Sequence, residues 1–261
     1  MGRRKFARKP ANEFDFVEMP HSHNRGSKRN TNNDNVYNLK TYVKQRKAVS
    51  IIPKSLKQED YVNLLLDPDK LIIFATGPAG TGKTMLAVLA GIKAYKEGLV
   101  DKIVITRPAV GVDDEKHGFL PGTLNEKMAP WTKPIFDVMK EYYSPKELAL
   151  MLEDEIIEIS PLAFLRGRTF KNSWIIFDEA QNSTSNQMKM VLTRIGDNSR
   201  MVITGDLNQN DRKFAVENGL RDFLALLPNR TSQMIQLVQF DNKDIMRHPV
   251  VKEVLELYGE I

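Results

Sequence analysis

The stretch Gly77-Pro78-Ala79-Gly80-Thr81-Gly82-Lys83-Thr84 lies between the apolar run LIIFAT and the helical segment TMLAVLAGIKAYK. It satisfies G-x-x-x-x-G-K-[ST] in full, and strand before and helix after is the context that gives the pattern meaning. Glycines allow backbone angles that turn successive N–H groups into one concavity, and the helix N-terminus adds its dipole. A phosphate chain is the ligand such a cradle fits. Lys83 is expected to reach the β- and γ-phosphates, and the Thr84 hydroxyl to bind Mg²⁺. A chance glycine turn is the alternative, and the flanking elements argue against it.

From about residue 50 short apolar runs alternate with helical stretches. The runs are Leu71–Thr76, Lys102–Thr106, Ile156–Ile159, Trp174–Asp178, Met201–Thr204 and Met234–Val238. Their length and their Ile, Val and aromatic content predict buried strands. Thr84–Lys96, Ser185–Ile195 and Leu220–Leu227 have helical period, and a further helix is predicted over Lys133–Tyr143. Strand–helix alternation predicts a mostly parallel sheet with helices on both faces, a three-layer αβα sandwich of the α/β class. The Pro- and Gly-rich stretch Pro108–Trp131 is expected to be a long irregular insertion.

Charge is distributed unevenly. Residues 1–47 hold twelve Lys/Arg against four Asp/Glu, a balance of +8, whereas the rest of the chain sums to −3. Residues 1–48 are rich in polar residues with few apolar anchors, so a basic, disordered arm is expected ahead of one domain spanning 49–261. Such an arm either gathers phosphates electrostatically or serves only as a solvated tail. No apolar run reaches the length of a membrane span, and no apolar stretch follows MGRRKFARKP, so neither a membrane segment nor a secretory signal is expected. There are no cysteines and four scattered histidines, which excludes disulfides and thiolate sites and argues against zinc. A reducing cytoplasmic setting fits.

Two further strand ends carry chemistry. WIIFDEAQN closes on Asp178-Glu179, and four apolar residues followed by Asp are what holds a carboxylate near Mg²⁺. Glu179 is then placed to orient or deprotonate the attacking water. A pair of helix-capping acids is the plainer reading. MVITGDLNQ ends in Gly205-Asp206 with Gln209 three residues on, and Gln209 is the candidate sensor of the γ-phosphate, against ordinary turn chemistry.

GPAGTGKT, DEAQN and GDxxQ in this order resemble motifs of superfamily 1 helicases. ITRPAV (105–110), GFLPG (118–122), PLAFLRGRT (161–169), QMKMVLTRIG (187–196) and MRHPVV (246–251) narrow the resemblance to the PhoH-like proteins, over about residues 55–255. The resemblance implies a RecA-like core with ATPase activity, ATP and Mg²⁺ as ligands, and helicase activity as proposed for some relatives. It also implies that Gln58 contacts adenine, against the plainer reading of a surface glutamine on a helix. Larger relatives carry an added RNA-binding or nuclease domain, for which no room is expected here.

A single RecA-like lobe lacks the arginine that a second lobe supplies, so a finger from a neighbouring subunit is expected, in a ring-forming homo-oligomer and specifically a hexamer. Arg247 is the leading candidate, with Arg166, Arg168 and Arg107 behind it. Arg107 is more readily matched to a nucleic-acid phosphate or an internal carboxylate. His117 and His248 read as turn or interface residues, and Trp131 as packing or base stacking. The expected activity is ATP hydrolysis coupled to binding or remodelling of RNA or single-stranded DNA. An ATP-gated nucleic-acid-binding ring that unwinds nothing is the rival, and a nucleotide or metabolite kinase a third reading.

Overall fold

The computed structural model describes residues 48–108, 124–209, 218–227, 232–246 and 249–258. They fall within one compact unit, Gln45–Ile261. Six strands build a single sheet: β1 (Ile72–Thr76), β2 (Lys102–Thr106), β3 (Ile157–Ile159), β4 (Ser173–Phe177), β5 (Arg200–Gly205) and β6 (Ile235–Gln239). Their order across the sheet is β3-β2-β4-β5-β1-β6, and every pairing is parallel. Each apolar run of the sequence is therefore a strand, with ends within a residue or so of those expected.

The helices are α1 (Leu56–Leu66), α2 (Lys83–Lys96), α3 (Leu124–Met139), α4 (Pro145–Glu153), α5 (Ser185–Leu192), α6 (Gly219–Leu224) and α7 (Pro249–Leu257). Side chains alternate across each strand, so neighbours in sequence serve opposite faces. Ile73, Ile103, Ile105, Trp174, Ile176 and Val202 face one layer, where α1, α2, α3 and α4 contribute Tyr61, Leu65, Leu86, Ile92, Met139 and Leu148. Phe74, Val104, Ile175, Phe177, Met201 and Ile203 face the other, under Met188 and Val191 of α5 and Leu220 and Leu224 of α6. The result is the αβα sandwich, with the RecA-like strand order in which one strand separates the P-loop strand from the strand ending in Asp178.

Four expectations need correction. The Pro108–Trp131 stretch is not irregular to its end, because α3 begins at Leu124; residues 109–123, including GFLPG and His117, lie outside the described set. The helix expected over Lys133–Tyr143 is the same α3, ending at Met139. Pro130 and Pro134 each remove a main-chain donor and so read as breakers, yet Ile135 and Met139, one turn apart, are both buried in the core layer that α2 also fills. Burial outweighs the local cost. The helices expected to run to Ile195 and Leu227 end earlier, at Leu192 and Leu224.

The ends of the strands remote from the P-loop are fastened by Arg200. Its guanidinium donates to the carbonyls of Lys70 (3.0 Å), Leu65 (2.8 Å), Leu64 (3.1 Å) and Asp67. Those groups include carbonyls at the C-terminus of α1 that helical geometry leaves unpaired. Arg200 also stacks 5.2 Å from the Trp174 ring centroid, and the Trp174 indole donates to Ala87 O at 3.1 Å, tying β4 to α2. On α2, Gly91 lets the ring approach: a Cβ there would stand 2.6 Å from Trp174 Cδ1. Alanine would add about 1 kcal/mol of helix propensity, but forcing a methyl into a packed core costs about 1–3 kcal/mol. Gly91→Ala is therefore expected to reduce stability by roughly 1 kcal/mol net, seen as a lower urea midpoint of unfolding; an unchanged or raised midpoint would contradict this packing.

Candidate functional site

The site assembles at the C-terminal ends of β1, β4 and β5. Because β5 lies between β1 and β4, with Thr76 opposite Gly205 and Ile203 opposite Phe177, three loops leave the sheet side by side. Open parallel sheets bind ligands at this edge. The loop after β1 is held from behind. Gly77 N–H donates to Gly205 O at 3.2 Å, Met246 N–H donates to Gly80 O at 2.9 Å, and the backbone of Phe240 presses so close that a Cβ on Gly77 would lie 2.4 Å from its carbonyl oxygen. Gly82, in the left-handed region at φ 84°, turns the chain into α2.

Lys83 is largely buried, and its ammonium donates to Gly77 O (2.6 Å), Pro78 O (2.7 Å) and Thr81 Oγ1 (3.3 Å). Thr81 is itself fully buried, its hydroxyl bonded to Pro78 O at 3.0 Å. The Thr84 hydroxyl donates to Asp178 Oδ1 at 2.8 Å, and the Thr204 hydroxyl donates to the same oxygen at 2.5 Å. Asp178 is positioned by its own N–H, which donates to Thr106 O at 2.9 Å. A cavity of about 250 Å³ opens here, lined by Ala79, Gly80, Gly82, Lys83, Thr84, Asp178, Glu179, Asp206 and Gln209 among others. Gly77 and Pro78 face a neighbouring hollow of about 700 Å³ bounded by Asp206–Asn208 and Gln239–Lys243.

Six of the residues singled out in the sequence thus share one cavity with the loop glycines, and others are placed differently. Gln58 is no surface residue: it is 1% exposed, its amide nitrogen donates to Thr81 O at 3.0 Å and its oxygen accepts from Lys54 N–H at 2.8 Å. It braces the phosphate loop from α1. Arg107 stands 4.0 Å from Glu179 Oε1, the internal carboxylate among the alternatives weighed for it. Arg168 is committed within the chain, donating from both terminal nitrogens to Glu158 (2.9 Å from Nη2 to Oε2) and stacking on Phe170, so it is corrected as a finger candidate. Arg166 is exposed and Trp131 half-buried. Arg247 and His248 lie outside the described residues.

Three participants escaped the sequence reading. Thr204 gives Asp178 its second hydroxyl; its signal was a hydroxyl at the last inward position of an apolar strand. Gln181, completely buried, joins Glu179 to the tip of β5, and its signal was the DEAQ spelling itself. Tyr61 donates from its hydroxyl to Lys83 O at 3.3 Å. Burial, and secondarily the Asp178 carboxylate, push the Tyr61 phenol well above its ordinary value, so it is a neutral donor throughout the physiological range.

A parallel sheet with a phosphate-binding loop, a hydroxyl in its first helical turn and a carboxylate on the second strand over define a RecA-like domain of the P-loop nucleotide-binding class. The sequence pattern of the family described as PhoH-like protein matches residues 50–259. A PhoH-like protein of Bacillus subtilis (strain 168) is 42% identical over 218 residues, covering 84% of this chain and 67% of that protein. Protein PhoH of Escherichia coli (strain K12) is 38% identical over 216 residues, covering 82% of this chain and 60% of that protein. The chain belongs to the PhoH-like family. It spans about 60% of the length of most such relatives. Among solved structures, the Pif1 helicase from Candida albicans aligns with a TM-score of 0.38 at 17% identity, covering 79% of this chain and 44% of that one.

The Glu158–Arg168 pair gives a pH test. Burial alone would raise the Glu158 carboxyl, but Arg168 and Lys102 outweigh it and hold it below its ordinary 4.5. A folded-state value below the unfolded one stabilises above about pH 4.5 and is lost as pH falls through the folded value. Glu158→Gln is expected to lower the urea midpoint at pH 7, with the gap to the parent narrowing as pH drops below about 4. A gap independent of pH would refute the pairing.

Proposed function

We propose that the chain is a Mg²⁺-dependent ATPase that couples hydrolysis to binding or remodelling of RNA or single-stranded DNA. The observation that carries this reading is the convergence of Lys83, Thr84, Asp178, Glu179 and Gln209 on one cavity at the mouth of the phosphate loop. The donor set suits a magnesium ion. Thr84 and Asp178 lie within hydrogen-bond distance, and among the described residues no cluster of three or more His, Asp or Glu side chains forms a metal cage. Such a pair, completed by phosphate oxygens and water, is how Mg²⁺ is commonly held. When bound, the ion would neutralise charge on those oxygens.

The chain's own residues do the rest. Lys83 exchanges its loop carbonyls for β- and γ-phosphate oxygens, loop amides bind the remaining oxygens, Glu179 orients or deprotonates water, and Gln209 senses the γ-phosphate. Gln58 is the assigned adenine contact; its amide already braces the loop, so base binding and loop geometry would be linked through one side chain. The same reading includes an arginine from a neighbouring subunit, in a ring such as a hexamer with ATP at subunit boundaries and Arg247 as finger. Residues 1–48 serve as a basic arm that gathers nucleic acid ahead of a domain over 49–261. Among the described residues no helix is long and apolar enough to cross a membrane.

Phosphate release with and without single-stranded RNA and DNA tests the reading. Lys83→Ala is expected to reduce release at least about 10²-fold, and one nucleic acid is expected to stimulate the parent; phosphate release without any stimulation would favour an ATP-gated ring that unwinds nothing. Mixing Arg247→Ala with Lys83→Ala chains is expected to restore hydrolysis, since intact lysine and intact arginine then meet across a boundary. A monomer hydrolysing at full rate would rule that out.

A further inference from the structure

We propose that Gln181 is a positioning residue that sets the Glu179 carboxylate in register with the turn carrying Gln209. The inference rests on reading the site as an ATP hydrolase. Gln181 lies in a 3-10 turn, Ala180–Asn182, directly after Glu179, and none of its surface is exposed. Its Nε2 donates to Glu179 Oε2 at 2.6 Å, while its Oε1 accepts from Asp206 N–H at 3.1 Å. Asp206 is the first residue past β5, and its Oδ1 accepts from Asn208 N–H at 2.9 Å, closing the turn that ends in Gln209. One amide side chain therefore connects the candidate base to the candidate sensor turn through two hydrogen bonds of opposite polarity.

Both ends of this connection need an amide. A carboxylate cannot donate to Glu179, and an apolar side chain would leave a buried main-chain N–H and a carboxylate oxygen without these partners. The surroundings are built for it. A Cβ on Gly205 would stand 2.8 Å from Gln181 Oε1, so glycine there makes space for the crosspiece. Glu179 itself adopts φ 51° and ψ 41°, left-handed angles that a side chain of its shape rarely takes and that persist only where the surroundings impose them. Arg107 approaches the other carboxylate oxygen, Oε1, at 4.0 Å. The carboxylate is thus gripped from two sides. When a γ-phosphate draws the Asp206–Gln209 turn, the displacement passes to Gln181 Oε1 and on to the carboxylate that faces the water. Gln181 touches neither reactant in this scheme; it acts through Glu179.

The test compares the parent with Gln181→Met, which keeps the bulk and removes both bonds, and Gln181→Glu, which keeps the shape and reverses one donor. For Gln181→Met, kcat for phosphate release is expected to fall about 10–100-fold, a share of what a placed general base contributes. KM and binding of a non-hydrolysable ATP analogue should stay within about twofold of the parent. Gln181→Glu keeps an acceptor for Asp206 N–H but loses the donor to Glu179, so kcat should fall here as well while analogue binding stays within about twofold. Should Gln181→Met fail to fold, the near-isosteric Gln181→Glu supplies the same comparison. If the parent hydrolyses ATP and the variants keep kcat within about twofold, Gln181 does not position the base. Equal losses in kcat, analogue binding and urea midpoint would mark a merely structural residue and also overturn the proposal. A parent that releases no phosphate from Mg-ATP removes the hydrolase reading itself, and this inference with it.

Discussion

A single oxygen atom organises this domain. Asp178 Oδ1 accepts from Thr84 at the start of α2 and from Thr204 near the end of β5, while the Asp178 main chain is bonded to Thr106 of β2. Four elements meet at one residue because β5 is inserted between the strands that end in the phosphate loop and in Asp178. Strand pairing has a side-chain period of two, so a slip of one residue in β4 against β5 would turn Asp178 away from both hydroxyls. The register that fills the two apolar layers is the register that builds the site. Packing and chemistry are satisfied by the same solution.

That solution divides the sheet lengthwise. At the N-terminal ends of the strands, Arg200 closes the carbonyls around the end of α1 and lies on Trp174, which in turn abuts Gly91 and bonds to α2. At the C-terminal ends lie the positive-φ positions Gly77, Gly82 and Glu179, the buried Lys83 and the carboxylates. Left-handed backbone marks turns at both ends of the sheet, since Glu155, Asn172 and Asn198 precede β3, β4 and β5.

Much of this was legible from residues alone. The phosphate loop, the acid pair after β4 and the turn after β5 each follow an apolar run, and local pattern suffices to recognise strand, loop and helix. PhoH-like kinship could be read in the same way, from stretches such as RGRT and MRHPVV. What escaped depends on contacts distant in sequence. Nothing near Gln58 reveals that Thr81 will accept from it, and nothing near Gln181 reveals that Asp206 will donate to it. The N-terminal half of α3, from Leu124 to Thr132, was hidden for the opposite reason, since Pro130 within it gives a strong local signal of a break. Strand order belongs to the same class of information: adjacency of β5 and β1 is a property of the assembled sheet.

The order of strands also bears on how the domain comes into being. Strand β1, which delivers the phosphate loop, has as neighbours β5 and β6, so Ile72 pairs with Met201 and with Ile235. Gly77 rests on Gly205 and Phe240. A nascent chain emerging from the ribosome therefore exposes an unpaired, strongly apolar β1 until nearly the whole domain has been synthesised, and such non-local closures are slow and prone to aggregation. Gly77, at the head of the phosphate loop, gains both of its backbone neighbours, Gly205 and Phe240, only when the last strand is in place.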